Sequence, residues 1–108
     1  MPTTEEIIRQ QIAENPILLY MKGTPDFPQC GFSGQAVQIM EACEANFQGF
    51  NIFEDAELRE ALKNYSNWPT YPQLYINGEL IGGCDIMIDL YKKGELAQLL
   101  VAANAAEA

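Results

Sequence analysis

The sequence predicts an α/β domain built on a four-stranded mixed sheet flanked by helices. Three observations point there. A short, wholly apolar run, Ile17-Leu18-Leu19-Tyr20, is followed by helical spacing and then by alternation, giving a strand–helix–strand order. A later alternating segment, QLYINGELIGG, is split by Asn77-Gly78, the dipeptide preferred by the tight turn of a hairpin. Helical patterns lie before, between and after these strands, so both faces of the sheet can be covered.

Taken in order, Thr3-Thr4-Glu5-Glu6 opens a helix, because Thr3 and Glu6 stand at capping-box spacing. Ile8 and Ile12 share its inner face, and Asn15-Pro16 stops it. The run from Ile17 to Tyr20 suits a strand buried on both faces. After the loop GTPDFPQC, apolar residues at Ala36, Val37, Met40, Cys43 and Phe47 predict a helix that Gly49 closes. Phe50 and Ile52 flank polar Asn51 and predict a second strand. Asp55 caps a third helix whose inner face carries Leu58, Ala61, Leu62 and Tyr65. The prolines of WPTYPQ keep that segment out of any helix interior. Beyond the hairpin, Gly82-Gly83 breaks the pattern and Asp85 begins a helix with Ile86 and Leu90 inward. Gly94 interrupts before a last helical stretch from Glu95 to about Ala103, and the tail from about residue 104 is expected to fray. This order is that of a thioredoxin-like fold, occupying residues 1–108 as one domain.

Composition narrows the functions. A chain of 108 residues, 48% hydrophobic, buries a modest core without disulfide staples. Unbroken apolar runs such as Ile17 to Met21 are far too short to span a membrane, and MPTTEEIIRQ has no basic flank of a secretory signal. Three cysteines, an odd number, fit reduced thiols in a cytoplasm better than a disulfide scaffold. A net charge of −9 and six basic residues argue against nucleic acid. The absence of histidine removes histidine-dependent zinc sites and histidine acid–base catalysis.

The residues that can carry chemistry are few. Cys30 stands where a loop meets a helix start, where free amides and the helix dipole favour a thiolate, and Lys22 at the end of the first strand can lie beside it. On these residues alone a reactive thiol and an ordinary surface thiol are equally good readings. Cys43 falls on an apolar face and reads as a core residue. Cys84 and Asp85 follow Gly82-Gly83 at another helix start, which suits either carboxylate binding or a plain strand-to-helix turn. Pro72, if cis, would expose the backbone of Tyr71 to an extended peptide; a trans proline at a strand's first residue is the alternative. Arg59, beside the apolar stripe of the third helix, reads by itself as a solvated charge.

Together these segments resemble a monothiol glutaredoxin of the single-domain bacterial class. The resemblance rests on MKG at 21 to 23, CGFS at 30 to 33, Arg59, WPTYPQ at 68 to 73 and GGCD at 82 to 85, and covers about Ile7 to Leu100. Tyr71 stands where phenylalanine is more usual, which leaves the backbone role intact. The resemblance implies that the domain binds glutathione. Lys22 and Arg59 would face its glycine carboxylate, Tyr71 would pair its backbone with the tripeptide's cysteine beside cis Pro72, and the amides of Cys84 and Asp85 would hold the γ-glutamyl carboxylate while the Asp85 carboxylate meets the amino group.

A second cysteine would resolve mixed disulfides, but Ser33 stands in its place. Two activities remain. One is glutathione-dependent thiol–disulfide exchange at Cys30 with weak turnover. The other is carriage of a [2Fe–2S] cluster, which needs four ligands. With Cys43 assigned to the core and Cys84 to the glutathione pocket, each chain offers Cys30, so two chains with two glutathiones complete the set. The resemblance favours this carrier, with a cluster-bridged homodimer, BolA-like proteins and apo iron–sulfur proteins as partners. A thiol-containing domain with no ligand fits all five segments least well.

Overall fold

The computed structural model describes residues 2–107. Its elements are α1 (Thr4–Glu14), β1 (Ile17–Met21), α2 (Gly31–Ala42), β2 (Gln48–Asn51), a 3-10 turn (Ile52–Glu54), α3 (Ala56–Ser66), β3 (Gln73–Ile76), β4 (Glu79–Gly82), α4 (Cys84–Lys92) and α5 (Glu95–Glu107). The sheet runs β2-β1-β3-β4, with β1 parallel to β2 and antiparallel to β3, and β3 antiparallel to β4. This is the mixed, thioredoxin-like sheet that the sequence predicts.

The central position of β1 explains its composition. All five of its residues are buried, and their alternation divides the core in two. Ile17, Leu19 and Met21 face one cluster with Val37 and Met40 of α2, Met87 of α4 and Leu96 and Leu100 of α5. Leu18 and Tyr20 face the other with Ile8 and Ile12 of α1 and Leu58 and Leu62 of α3. A strand with helices on both sides has no solvent face, so it reads as a continuous apolar run. Each large aliphatic side chain buried this way contributes roughly 1.5–3 kcal/mol before conformational entropy is counted.

Local chemistry sets several boundaries. The Glu6 amide donates to Thr3 Oγ1 at 3.2 Å, and the Leu58 amide donates to Asp55 Oδ1 at 3.0 Å, so both expected caps form. Asn77 (φ 50°) and Gly78 (φ 82°) take the two positive-φ positions of the hairpin turn.

Other boundaries differ from expectation. Helix α2 ends at Ala42, short of Phe47, because Glu44 adopts φ 54° and the Ala45 and Glu44 amides donate back to the Met40 and Glu41 carbonyls. That is a Schellman closure made without glycine. Gly49 lies instead within β2, where a Cβ would come within 2.6 Å of Pro25 Cγ. Ile52 is buried but belongs to the 3-10 turn, since Asn51 Oδ1 accepts from the Phe53 amide and bends the chain out of the strand. Tyr65 is exposed, leaving Leu58 and Leu62 as the buried face of α3. In α4 the cap is Gly83 instead of Asp85, and Met87 is the fully buried residue while Ile86 and Leu90 are half-buried. Cys43 is half-buried at the C-cap of α2, packed against the first cluster but not enclosed in it. Helix α5 runs on to Glu107, past the expected stop near Ala103.

Because Leu19 is fully buried in the central strand, Leu19→Ala should cost about 2–5 kcal/mol in urea unfolding. Leu99→Ala, on an exposed position of α5, should change stability by roughly 0.5 kcal/mol or less.

Candidate functional site

The site begins where β1 leaves the sheet. Gly23 has φ +95°, and a Cβ there would sit 2.5 Å from the Phe27 carbonyl oxygen and 2.7 Å from the Gln29 nitrogen. Only glycine allows that approach, which closes the loop through a bridge to Pro28 and a hydrogen bond from the Gln29 amide to the Lys22 carbonyl at 2.9 Å. The closed loop delivers Cys30 to the N-cap of α2, with extended backbone (φ −152°, ψ 140°) and its side chain free of any capping bond.

The Cys30 thiol is held below the ordinary cysteine range, chiefly by the Ser33 amide. The Phe32 amide, the Lys22 charge and the Ser33 hydroxyl assist, against a partial opposing effect of desolvation. These amides are the unpaired donors of a helix's first turn. Ser33 is fully buried, and its Oγ also accepts the Lys22 amide at 3.0 Å. The residue in place of a resolving cysteine therefore ties β1 to α2.

The opposite wall comes from the segment before β3 and the start of α4. The Tyr71–Pro72 bond is cis. The loop is fixed from below by buried Gln73, whose side-chain amide donates to the carbonyls of Trp68 and Thr70 at 3.2 and 3.3 Å and accepts from the Tyr75 hydroxyl. Gly83 permits close approach, since a Cβ there would lie 3.2 Å from Trp68 Nε1 and 3.3 Å from the Pro72 carbonyl oxygen. Cys84 is 6% exposed, and its thiol donates to Gln35 Oε1 at 3.6 Å. Burial pushes the Cys84 thiol up, and the neighbouring Asp85 and Cys30 charges push it further. Burial likewise raises Cys43.

Between the walls lies a cavity of about 460 Å³ that brings together Lys22, Cys30, Tyr71, Pro72, Cys84 and Asp85. Six of the seven residues singled out from the sequence thus share one space. Arg59 does not line it. Its guanidinium Cζ lies 5.5 Å from the centre of the Phe53 ring, its Nε is buried without a partner, and its carbonyl accepts from the Tyr71 hydroxyl at 2.6 Å. Trp68, Thr70, Phe32, Gly83 and Ile86 complete the lining. Phe32, Trp68 and Thr70 lie within the CGFS and WPTYPQ segments, and nothing in their local pattern marks their side chains as lining. The motifs themselves were the available signal. Trp68 Nε1 is buried without a hydrogen-bond partner, and Phe32 is 61% exposed at the rim.

Chemically, the cavity offers a thiolate-prone sulfur, a lysine, a carboxylate and a helix N-terminus to one extended ligand. Lys22, Arg59 and Lys92 take no part in the three ion pairs seen among the described residues. An anion entering beside Lys22 need not break an internal pair first.

Comparison with known proteins agrees with this geometry. The family model described as Glutaredoxin matches residues 17–81. The chain is 57% identical over 100 residues to Glutaredoxin 4 of Escherichia coli K12, covering 93% of this chain and 87% of that protein. It is 53% identical over 97 residues to Glutaredoxin 4 of Haemophilus ducreyi, covering 90% and 91%. The solution structure of reduced poplar apo GrxS14 superposes with a TM-score of 0.83 at 47% identity, covering 97% of this chain and 96% of that one.

The three thiols should separate by reactivity. With iodoacetamide, Cys30 should alkylate first, with a pH midpoint below that of Cys43 and Cys84, whose thiols are raised. Thiolate is the reacting form, so the rate should rise with pH through that midpoint. Ser33→Ala should move the midpoint upward, and Cys30→Ser should abolish the fast phase. Peptide mass spectrometry after timed quenching reads each site.

Proposed function

This chain belongs to the glutaredoxin family, and we propose that it is a monothiol glutaredoxin, acting in the cytoplasm, that binds glutathione, carries a [2Fe–2S] cluster and delivers it to apo-proteins. The observation that supports this most is the distribution of the thiols. One cysteine per chain, Cys30, is both open to the cavity and favoured as a thiolate, while Cys84 is buried and raised. Cys43 also titrates high and does not line the cavity.

Glutathione suits the cavity because its two carboxylates and one ammonium find opposite charges here. Lys22 serves the glycine carboxylate, and Arg59, outside the cavity lining, is the second cation assigned to it in this reading. The first-turn amides of Cys84 and Asp85 serve the γ-glutamyl carboxylate, and the Asp85 side chain serves the amino group. Tyr71, two residues ahead of β3, offers its backbone to the middle of the tripeptide, with cis Pro72 beside it.

When bound, the cluster supplies iron and sulfide for transfer, and it requires four ligands, normally thiolates. Among the described residues, no group of three or more His, Cys, Asp or Glu side chains is placed to hold a metal ion. With Cys84 buried and raised, Cys30 acts as a single ligand, and glutathione in the adjoining cavity brings the other sulfur. Two chains and two glutathiones make up the set, so the holo form is a homodimer. BolA-like proteins and apo iron–sulfur proteins are its partners in delivery.

A second, weaker activity is favoured by the lowered Cys30 pKa. The Cys30 thiolate attacks the glutathione sulfur of a protein mixed disulfide and expels the protein thiolate. A second glutathione thiolate then attacks the Cys30–glutathione disulfide, regenerating Cys30 and releasing glutathione disulfide. Buried Ser33 cannot replace that second thiol, so turnover is slow.

Anaerobic assembly with iron, sulfide and glutathione should give a [2Fe–2S] absorption spectrum on a dimer. Cys30→Ser should lose it, Cys43→Ala should keep it, Arg59→Glu should weaken it, and removing glutathione should bleach the spectrum and dissociate the dimer. A stable cluster on a glutathione-free monomer, seen by visible absorption and size exclusion, would overturn this reading.

A further inference from the structure

We propose that Asn51 is a positioning residue that sets both cations of the anion site, Lys22 and Arg59, through one side-chain oxygen. The inference rests on the glutathione reading above. In that reading Lys22 and Arg59 share one carboxylate, although Lys22 lines the cavity and Arg59 does not. Asn51, the last residue of β2, pairs in register with Met21, immediately before Lys22. Its Oδ1 accepts the Gly23 amide at 3.0 Å and the Phe53 amide at 3.0 Å.

The first bond fixes the chain just after Lys22, which Ser33 Oγ fixes at the Lys22 amide itself. The second fixes the 3-10 turn that presents the Phe53 ring beneath the Arg59 guanidinium, 5.5 Å from Cζ. Phe53 is 46% exposed, so its ring does little for the core but still holds Arg59 by a cation–π contact. One carbonyl oxygen thus couples a strand end carrying one cation to a turn carrying the support of the other. An amide does this without adding negative charge beside a site meant for a carboxylate.

The experiment compares two probes by calorimetry: glutathione, and glutathione whose glycine carboxylate is capped as the amide. Wild type should prefer the free carboxylate. Asn51→Ala should lose about tenfold in affinity for glutathione, the scale of one displaced charge-assisted contact, and far less for the capped probe. Phe53→Leu leaves both hydrogen bonds in place and should show the same selective loss at about threefold. In Arg59→Ala, the Phe53→Leu change should add almost nothing. Asn51→Asp keeps an acceptor for both amides, so it should restore the melting temperature lost in Asn51→Ala.

Equal losses for both probes in Phe53→Leu and Asn51→Ala would overturn the positioning role, leaving a structural one. Full additivity of Phe53→Leu with Arg59→Ala would do the same. Failure of wild type to bind either probe would strike the glutathione reading itself, a different outcome. If Asn51→Ala does not fold by circular dichroism, Asn51→Ser, whose shorter side chain cannot bridge both amides, takes its place with the same selective loss expected and the same equal loss overturning the role.

Discussion

The main-chain N–H of Lys22 meets Ser33 Oγ at 3.0 Å, and much of the site depends on that contact. It joins the exit of the central strand to the first turn of α2, on either side of the Cys30 loop. Without an acceptor there, a partly buried amide would lose its partner, at a cost of about 1 kcal/mol. The loop would also lose the reference that places Cys30 over the first-turn amides. Gly23 completes the arrangement from the other side, because the backbone at Phe27 and Gln29 occupies the space a side chain would need. A sulfur's acidity is thereby set by backbone geometry fixed some distance away in sequence.

The electrostatics of the site run against those of the whole chain. A net charge of −9 repels an anionic ligand at long range. At physiological ionic strength, however, screening confines such effects to about 8 Å, so the nearest charges decide. Arg9, Lys63 and Lys93 are each within reach of a carboxylate one helical turn away, pairs exposed enough to be worth little. Lys22 beside the cavity and Arg59 over Phe53 take no part in those pairs. An unpaired lysine on the cavity wall thus leaves a local positive charge on an otherwise acidic protein.

What could be read from the sequence was local. Thr3, Asp55 and Asn77-Gly78 act within a few residues of themselves, and each cap or turn forms as their chemistry dictates. The doubly buried β1 was legible because a strand without a solvent face leaves an apolar run. The early end of α2 was not, since Glu44 takes a left-handed conformation usually left to glycine, while nearby Gly49 answers to Pro25 across the fold. Six of the site's residues were legible because motifs at element boundaries converge once the sheet order is set. Arg59 lies over the Phe53 ring, a contact made across two elements that no local pattern announces, and Asn51 looks like an ordinary strand residue until its two amide partners are in place.

The three cysteines show how far environment outweighs identity. Each lies at a helix boundary: Cys30 at the N-cap of α2, Cys43 at its C-cap, Cys84 at the first position of α4. A helix N-terminus alone does not make a thiolate, since Cys84 has one and titrates high. The difference is burial and neighbours. Cys84 is enclosed, flanked by Asp85 and near Cys30, so its charged form would be desolvated and repelled twice. Cys30 has a lysine nearby, first-turn amides aimed at its sulfur and an opening to the cavity. Cys43 sits at the end of its helix where carbonyls point outward, the wrong pole for an anion, and burial raises it as well. Of three thiols at helix boundaries, Cys30 is thus the one that combines an opening to the cavity with surroundings that favour its thiolate.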